Sequence, residues 1–421
     1  MTVRIFLCFV LSVLLTGFVF CEVWAKSDGD NNSTSAANGN GRAWVFDCGG
    51  KYMKVDIISG RIVARGFVGK IVPGGRFDGC LIEGIKEDPN TGMLYAIMPR
   101  ERTEDERGKR HYRLVKLNKA TLKITETHEI TPSLEFIPSF FFDPNKNELV
   151  LNYLSTSTAS AKPQGVLERY SLPHLQKQLI KNPTESIVIG GQVTHLNKRG
   201  QILDGVSILD ANGIEREKID GKSLLNDNIT HAFSGLYRSG AHGVKYLDIT
   251  LADSAENRMV FVVAADSASD RSPKGGGVVV YDVFSRHVVS HFITSYQVTP
   301  FAGLPGTPTV HLTPEGKSVV IEQYEWDWPK TNGAENRPER IKTGNLRVYN
   351  ADTGLLVGEI FLSPRPGLSG HVINFSKDGK FLYYGSYNKL YVVDLNNLKV
   401  TSTIDLDDGF TPIKVLLATD T

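Results

Sequence analysis

The stretch with the most chemical potential is a run of seven residues, EQYEWDW at positions 322–328. It contains two of the four tryptophans of the chain and three carboxylates. Aromatic faces stack on sugars, amines and peptides, while carboxylates accept hydrogen bonds or attract a cation. The run therefore predicts a ligand-binding site formed by Glu322, Tyr324, Trp326, Asp327 and Trp328. The alternative is a loop whose rings only pack on its own neighbours.

Three histidines could contribute further chemistry: His242, His311 and His371. On neighbouring strands their imidazoles could converge on a metal ion, which requires matching registers. An alignment on the turns TPEG (313–316) and SKDG (376–379) places His311 and His371 in different registers. We therefore predict that these histidines are polar or structural and form no metal site. We add His371 to the predicted ligand-binding residues because it lies on a predicted innermost strand, near the mouth of the predicted central channel.

No other pattern assigns catalytic residues. The chain has no CxxC pair, no HExxH helix and no CxxCH haem motif. No glycine-rich loop stands between a strand and a helix, which is where a phosphate-binding loop is expected. The sequence therefore predicts no cofactor, and the catalytic residues stay unknown.

A repeat of short strands positions these residues, and it is clearest in LYYGSYNKLYVVDLNNLKVTSTIDL at 382–406. β-Branched and aromatic residues between Gly/Asn turns are typical of antiparallel strands. About seven such units follow one another, each with four strands, except that the first has three and residues 413–417 supply a fourth. We predict an all-β fold, a seven-bladed β-propeller of four-stranded antiparallel blades, closed by the C-terminal strand joining the first blade.

The loops divide the predicted blades into a plain face and an elaborated face. The turns between first and second strands are short, whereas long insertions separate second from third strands at residues 100–110, 155–164, 266–276 and 324–342. In a propeller these insertions belong to one face. Long loops on a rigid scaffold are where binding sites tend to lie, so we predict binding on this loop-rich face.

The N-terminus is typical of an exported protein. Arg4 precedes an apolar run over residues 5–20, and VWA at 23–25 ends in the small residue that a signal peptidase requires. We predict a signal peptide over residues 1–25, a disordered polar linker over 26–42 and the propeller over 43–421. The protein would be periplasmic or extracellular, with no membrane span after signal cleavage. The alternative is a membrane anchor, for which the apolar run is short.

The net charge limits the classes of binding partner that the sequence predicts, and the cysteine content favours one disulfide bond. A net charge of +1 gives no electrostatic basis for binding nucleic acid or an anionic membrane. The predicted partners are therefore a protein, a peptide or a small-molecule ligand. After signal cleavage only Cys48 and Cys80 remain, and in an oxidising compartment an even pair favours a disulfide.

The C-terminal repeats resemble the YVTN family of seven-bladed propellers. That family's repeat has an aromatic-rich strand, a V-x-V-x-D strand, a second Val/Ile strand and G-x-x-P. The matching segments are LYY (382–384), LYVVD (390–394), residues 400–404 and GFTP (409–412). Two further segments, RVYN (347–350) and VVYD (279–282), match the repeat in part. The resemblance implies the fold but no activity, because such propellers include binding proteins, enzymes and enzyme subunits.

Two functions follow from these observations. We favour an exported β-propeller binding or scaffold protein that engages a protein, peptide or small ligand on its loop-rich face. The alternative is a propeller enzyme or enzyme subunit, similar to the large subunit of quinone-dependent amine dehydrogenases or to metal-dependent lactonases. Lactonases of this shape hold a central ion with carboxylates and Asn, for which Glu83, Asp204 and Asp248 are the candidates.

Overall fold

The computed structural model describes the chain from residue 41 onward, with gaps. The described residues are 41–68, 84–99, 111–130, 139–143, 145–155, 164–178, 195–196, 201–204, 207–210, 215–233, 238–239, 245–246, 249–255, 257–263, 276–294, 310–327, 339–362, 370–386 and 388–417. The chain forms two compact units, Met1–Asn40 and Gly41–Thr421. The first unit lies wholly outside the described residues, so the signal peptide and the linker up to residue 40 stay predictions, whereas residue 42, predicted as linker, begins the first strand.

The first half of the described chain forms four four-stranded sheets, the first of which takes its fourth strand from the C-terminus. Sheet 1 contains β1 (Arg42–Asp47), β2 (Lys51–Asp56) and β3 (Ile62–Phe67). Sheet 2 contains β4 (Gly84–Glu87), β5 (Leu94–Pro99), β6 (Tyr112–Leu117) and β7 (Ile124–Glu129). Sheet 3 contains β8 (Ser139–Asp143), β9 (Glu148–Ser155), β10 (Gln164–Ser171) and β11 (Gln176–Gln178). Sheet 4 contains β12 (His195–Leu196), β13 (Ile202–Asp204), β14 (Ser207–Leu209) and β15 (Glu215–Lys218).

The second half adds three more four-stranded sheets. Two short helices, α1 (Gly221–Leu224) and α2 (Asp227–Ala232), and a ribbon of β16 (Arg238–Ser239) and β17 (Lys245–Tyr246) come first. Sheet 5 contains β18 (Ile249–Ala255), β19 (Arg258–Val263), β20 (Gly276–Asp282) and β21 (His287–Thr294). Sheet 6 contains β22 (Val310–Leu312), β23 (Ser318–Asp327), β24 (Glu339–Asn350) and β25 (Leu356–Phe361). Sheet 7 contains β26 (Gly370–Phe375), β27 (Phe381–Ser386), β28 (Lys389–Asp394) and β29 (Lys399–Asp405), and β30 (Pro412–Leu417) follows.

Every sheet runs from an inner strand to an outer strand. In sheets 2 to 7 the first strand in sequence lies at one edge and the fourth lies at the other. First strands of neighbouring sheets contact one another, as between β4 and β8, β8 and β12, and β18 and β22, and we call them inner strands. The fourth strands are largely exposed or partly buried, as expected for edge strands that face water. We call these the outer strands.

Sheet 1 is built from both ends of the described chain. β30 pairs antiparallel with β1, and the register places Trp44 opposite Leu416 and Val45 opposite Val415. The order β3-β2-β1-β30 makes β30 the inner strand of sheet 1. Each sheet is a separate ladder, and in the described part of the chain no sheet closes on itself.

The buried apolar residues of the described chain form seven clusters, each shared by two sheets. Six of them join sheets that are consecutive in sequence, from sheets 1 and 2 to sheets 6 and 7. The remaining cluster joins sheet 7 to sheet 1 and includes Tyr383, Val392 and Val415. Strands in the middle of a sheet carry continuous apolar runs, such as RMVFVV in β19, because both of their faces are covered.

A repeated turn follows the third strand of five sheets. Its first residue is an Asp or Asn whose side-chain oxygen accepts hydrogen bonds from the backbone N–H groups two and three residues later. These residues are Asp56, Asn118, Asp282, Asn350 and Asp394. Such Asx turns explain why the V-x-V-x-D strand ends in a short polar side chain. Four residues later the backbone φ is positive in all five turns, and two of those positions are glycine, which adopts it without strain.

The predicted repeat of four antiparallel strands is confirmed. The described chain is nearly all β, and its seven four-stranded sheets are consistent with a seven-bladed propeller. One predicted boundary is wrong: the insertion at residues 324–342 is shorter, because β23 and β24 stay paired from Tyr324↔Lys342 to Asp327↔Glu339. The ladder of backbone hydrogen bonds therefore continues through a segment predicted as loop.

The sequence does not predict the two short helices between sheets 4 and 5. Leu224 of α1 and Ile229 of α2 are buried in the cluster that sheets 4 and 5 share. Asn226 caps α2 by accepting a hydrogen bond from the backbone N–H of Ile229 at 3.1 Å, which is the usual role of Asn before a helix. Among the described residues no helix is long and apolar enough to span a membrane.

Deleting residues 411–421 removes β30 and should destabilise the protein. The edge of β1 would be exposed, together with the apolar side chains that cover Val415 and Leu416, which are 1% and 8% exposed. We expect aggregation, faster limited proteolysis and a lower melting temperature than in the full chain. A control that lacks only residues 418–421 keeps β30 and should melt like the full chain. A 411–421 deletion that stays monomeric with unchanged melting would contradict this prediction.

Candidate functional site

Equivalent positions of four inner strands carry a polar residue. In sheets 5, 6 and 7 this position lies opposite the third residue of β19, β23 and β27. In sheet 2 it lies two residues before the turn that follows the inner strand, as it does in sheets 6 and 7. The four residues are Lys86, Asp253, His311 and Asn374. Because inner strands of successive sheets are neighbours, these side chains lie where one sheet meets the next.

Two of the four connect successive sheets through hydrogen bonds with the backbone. Asn374 donates from Nδ2 to the carbonyl oxygen of Val415 at 2.9 Å, which joins β26 to β30. Asp253 accepts at Oδ2 from the backbone N–H of Leu312 at 2.7 Å, which joins β18 to β22. Both residues sit at β-bulges, and the Oδ1 atom of each accepts from the N–H of the next residue. These two side chains satisfy backbone groups at the inner edge.

Lys86 makes the equivalent connection between sheets 2 and 3 with a charged group. Its ammonium donates to the carbonyl oxygen of Phe140 on β8 at 2.5 Å and lies 5.4 Å from the centroid of the Phe140 ring. An ammonium has three N–H donors. Among the described residues this is the single hydrogen bond of the Lys86 side chain, so two donors remain for another partner.

A second lysine on an inner strand acts on this group. Lys414 lies on β30, and its positive charge affects Lys86 across the junction of sheets 1 and 2. Both side chains are partly buried. Within the part of the chain that the structure describes, neither ammonium is paired with a carboxylate. Two desolvated cations without a counter-ion are unfavourable on their own, and together they form a site suited to an anion.

Burial disfavours the charged forms of three inner-strand groups. It lowers the pKa of Lys86 to about 8, with repulsion from Lys414 as the second cause. It also lowers the pKa of Lys414. The pKa of Asp253 is raised by burial, and the charge of His311 and the hydrogen bonds from backbone N–H groups offset part of this rise. Perturbed groups of this kind concentrate at functional sites.

His311 departs from the pattern because its hydrogen bond stays within its own sheet. Its Nε2 lies 2.8 Å from Oε1 of Glu322 on β23, and the two residues are 6% and 1% exposed. The ring of His311 contacts Phe375 of sheet 7 edge-to-face, with 6.5 Å between centroids. The carboxylate also acts on Tyr384, whose pKa is raised by burial first and by Glu322 second. The pair orients the imidazole beside the junction of sheets 6 and 7.

The predicted aromatic segment extends from this pair. β22 pairs with residues 319–321 of β23, and β25 pairs with residues 345–349 of β24. Residues 324–327 and 339–342 therefore form a two-stranded ribbon that projects beyond the sheet. Tyr324, Trp326 and Asp327 lie on this ribbon, and Trp328 lies outside the described residues. Glu322 is instead buried in the sheet against His311.

The remaining predicted ligands are spread over the chain. His371 lies on β26 opposite Gly385, and Asp204 ends β13. The other three candidates, His242, Glu83 and Asp248, lie outside the described residues. Among the residues that the structure describes, no group of three or more His, Cys, Asp and Glu side chains could hold a metal ion.

The predicted disulfide involves one described residue. Cys48, in the turn between β1 and β2, is disulfide-bonded. Its partner and Cys80 lie outside the described residues. The pairing of Cys48 with Cys80 therefore stays a prediction.

Sequence reasoning missed the two inner lysines, although a signal for each exists. Aligning the units on their turns puts Lys86 at the position of His311 and Asn374, which marks it as an inner-strand group. Lys414 is a charged residue inside the otherwise apolar strand PIKVLL, and a lysine there is rarely buried without a reason. Neither signal reveals that the two lysines are neighbours, because that depends on the contact of β30 with β4.

Comparisons with known proteins add little to this picture. No protein-family model matches the chain, and no curated protein matches it. Among solved structures, apo AztD from Citrobacter koseri is similar at 10% identity and a TM-score of 0.48, covering 89% of this chain and 96% of that chain. Dihydro-heme d1 dehydrogenase NirN in complex with DHE has 11% identity and a TM-score of 0.39, covering 92% and 77%. The Dos1 propeller has 9% identity and a TM-score of 0.30, covering 86% and 66%. Similarity at this level does not indicate what this chain binds.

Replacing Lys86 by methionine should stabilise the protein at neutral pH. Its pKa is about 8 in the folded chain and 10.5 ordinarily, so between these values the unfolded chain binds more protons than the folded chain. The free energy of unfolding of the wild type should therefore rise from pH 8 to pH 10, and this rise should be smaller in Lys86→Met. At pH 7 the variant should gain about 1–2 kcal/mol, which allows for the lost hydrogen bond to Phe140.

Urea unfolding at pH 7, 8, 9 and 10 measures both effects on the same samples. The control is Lys377→Met, at an exposed lysine in the turn after β26, which should match the wild type at every pH. If Lys86→Met is less stable than the wild type at pH 7, the ammonium stabilises the junction of sheets 2 and 3 and the prediction is wrong.

Proposed function

We propose that the protein is an exported, closed seven-bladed β-propeller that binds a small anionic ligand at its inner strands, with Lys86 and Lys414 as the anion-binding groups. One observation carries the proposal: two partly buried ammonium groups on neighbouring inner strands, with no carboxylate partner among the described residues. Export is proposed from the pattern of residues 1–25. The proposal keeps the binding function favoured from the sequence, but it moves the anionic part of the ligand from the loop-rich face to the inner strands.

Closure of the ring is supported by two contacts between the ends of the repeat. β30 pairs with β1, and one apolar cluster joins sheet 7 to sheet 1. In a closed ring the inner strands surround a central channel, and their polar side chains line it. Lys86, Lys414, Asp253 and Asn374 all keep part of their surface accessible, as expected for groups beside such a channel.

An anion would stabilise the lysine pair that burial destabilises. Hydrogen bonds between an ammonium and an anionic oxygen are shorter and stronger than neutral ones, and the attraction increases where protein replaces water. Within the described part of the chain, Lys86 has two donors left after its bond to Phe140, and the Lys414 ammonium, with no side-chain hydrogen bond there, adds three. A ligand with two or more anionic oxygens, such as a carboxylate, phosphate or sulfate, therefore fits these groups.

Binding of inorganic sulfate, inorganic phosphate and succinate tests the proposal. At pH 7 and low ionic strength we expect at least one of them to raise the melting temperature and to bind in isothermal titration calorimetry. Lys86→Met and Lys414→Met should each weaken that affinity about 10-fold or more, since each removes a charge-assisted hydrogen bond. Affinity should also fall above pH 8, because Lys86 loses its proton there.

The control for this experiment is Lys377→Met, which removes one positive charge in an exposed turn and should bind each anion like the wild type. Equal effects of all three replacements would indicate a general charge effect. That result, or a melting temperature that none of the three anions changes, would overturn the anion site.

A second contact with ligands is proposed at the ribbon of residues 324–327 and 339–342. The specific observation is that this ribbon projects beyond both flanking strands, directly after the buried pair of His311 and Glu322. A paired ribbon holds its backbone in place, so the aromatic residues Tyr324 and Trp326, with Trp328, suit a role as anchors for a peptide or sugar.

Alanine replacement of Trp326 and Trp328 tests the ribbon. If these residues are anchors, each replacement should cost about 2 kcal/mol or more of binding energy with little change in melting temperature. Peptide and glycan arrays probed with the wild type supply the ligand, and affinity and melting are measured on the same variants. Phe361→Ala, on the outer strand β25 and 62% exposed, is the matched control. Normal binding by both tryptophan variants would remove the ribbon from the site.

A further inference from the structure

We infer that Lys86 is a reactive lysine that forms a reversible imine with a small carbonyl compound, and that the ligand class is a 2-oxo acid whose carboxylate is held by Lys414. The inference rests on the proposed anion site and names the ligand class for it. It begins from the placement of the two amines on β4 and β30, whose inner edges are in contact.

The surroundings of Lys86 hold its amine in a defined position. Nζ donates to the carbonyl oxygen of Phe140 at 2.5 Å and lies beside the Phe140 ring. A neutral amine keeps one N–H for this carbonyl and still has a free lone pair. The position therefore suits both protonation states, and the lone pair can meet a ligand on the side away from Phe140.

Burial, with the neighbouring cation as the second cause, keeps part of Lys86 neutral. Burial and the charge of Lys414 both oppose protonation, and the resulting pKa is about 8. At pH 7.5 roughly a quarter of Lys86 would be neutral, against about one in a thousand for an ordinary lysine. A desolvated lysine next to another cation is a known way of activating an amine as a nucleophile.

A 2-oxo acid matches the two amines because its carboxylate and its carbonyl carbon are directly bonded. With the carboxylate on the ammonium of Lys414, the carbonyl carbon would lie one bond away from it, where β30 contacts β4, the strand that carries Lys86. A carbonyl compound without the carboxylate would lose the charge-assisted hydrogen bond. An anion without the carbonyl would bind but could not react.

The step balances without an oxidant or a reductant. The lone pair of Nζ attacks the carbonyl carbon, a C–N bond forms, and the π electrons of the C=O bond move to oxygen, which takes a proton. The hydroxyl of this carbinolamine then leaves as water after a second protonation, while the nitrogen gives up both of its protons in turn and the C–N bond becomes double. One amine and one carbonyl give one imine and one water, and hydrolysis reverses the step.

Reductive trapping on the full-length protein tests the inference. Wild type is incubated with pyruvate at pH 7.5, cyanoborohydride is added to reduce any imine, and the digest is analysed by mass spectrometry. We expect the peptide with Lys86 to gain the mass of pyruvic acid less one oxygen atom, at least 10-fold more than the peptide with the exposed Lys377. Acetone, which lacks the carboxylate, should label Lys86 at least 10-fold less. Lactate, which lacks the carbonyl, should give no adduct and should compete with pyruvate.

Two variants distinguish the reactivity of the Lys86 amine from the effect of positive charge at the site. Lys86→Arg keeps the positive charge but removes the reactive amine. Trapping at this position should therefore be lost, whereas calorimetry should still detect binding of lactate at the anion site. Lys414→Met should lower trapping at Lys86 about 10-fold. The melting temperature of each variant is measured first, so that loss of trapping is scored on folded protein.

The outcomes distinguish this inference from the anion site itself. If sulfate, phosphate or lactate binds through both lysines but pyruvate does not label Lys86, the imine is wrong and the anion site stands. If acetone labels Lys86 as well as pyruvate does, the 2-oxo acid class is wrong. Equal labelling of Lys86 and Lys377 would overturn the reactive lysine.

Discussion

The structure depends on how the inner edges of its sheets satisfy their backbone polar groups. An edge strand leaves a row of N–H and C=O groups unpaired, and these groups cost free energy when water is excluded. The outer edges face water, whereas the inner edges meet one another. Side chains at one repeated position solve the problem: Asn374 reaches the carbonyl of Val415, Lys86 reaches the carbonyl of Phe140, and Asp253 accepts from the N–H of Leu312. The same constraint explains why these positions are polar at three junctions.

This solution lets the inner strands carry charged side chains while the sheets stay joined. An amide, a carboxylate and an ammonium perform the same connection at three junctions, so the residue type can vary while the sheets stay joined. Where His311 takes the position, it bonds Glu322 within its own sheet, and the junction with sheet 7 is formed by its ring against Phe375. Site chemistry can therefore change on a constant scaffold, which is the usual relation of function to fold.

Local interactions were predictable from the sequence, and interactions between sheets were not. Asp394 and Asn350 mark the ends of third strands because each side chain caps its own turn, and the fourth strand of sheet 1 was predictable because that unit lacks one. The pairing of residues 324–327 with 339–342 was not, since YEWD (324–327) alternates aromatic and acidic residues but its partner ERIK (339–342) contains a single apolar residue. The pairing of β30 with β1 was predictable in the same way, but the neighbouring positions of Lys86 and Lys414 depend on the contact of β30 with β4, which no pattern within either strand encodes.

The junction of sheets 2 and 3 also shows how a structural bond and a changeable charge can coexist in one side chain. The carbonyl of Phe140 needs a single N–H, and the nitrogen of Lys86 supplies it whether the group is an ammonium or an amine. Loss of the proton therefore changes the charge that a ligand meets without breaking the connection between the sheets. An Asp or Asn at this position could not do so, because an amide does not titrate and a carboxylate cannot donate to a carbonyl. Among the three side chains that connect successive sheets through hydrogen bonds, lysine is thus the one that leaves the inner edge intact while its charge varies near neutral pH.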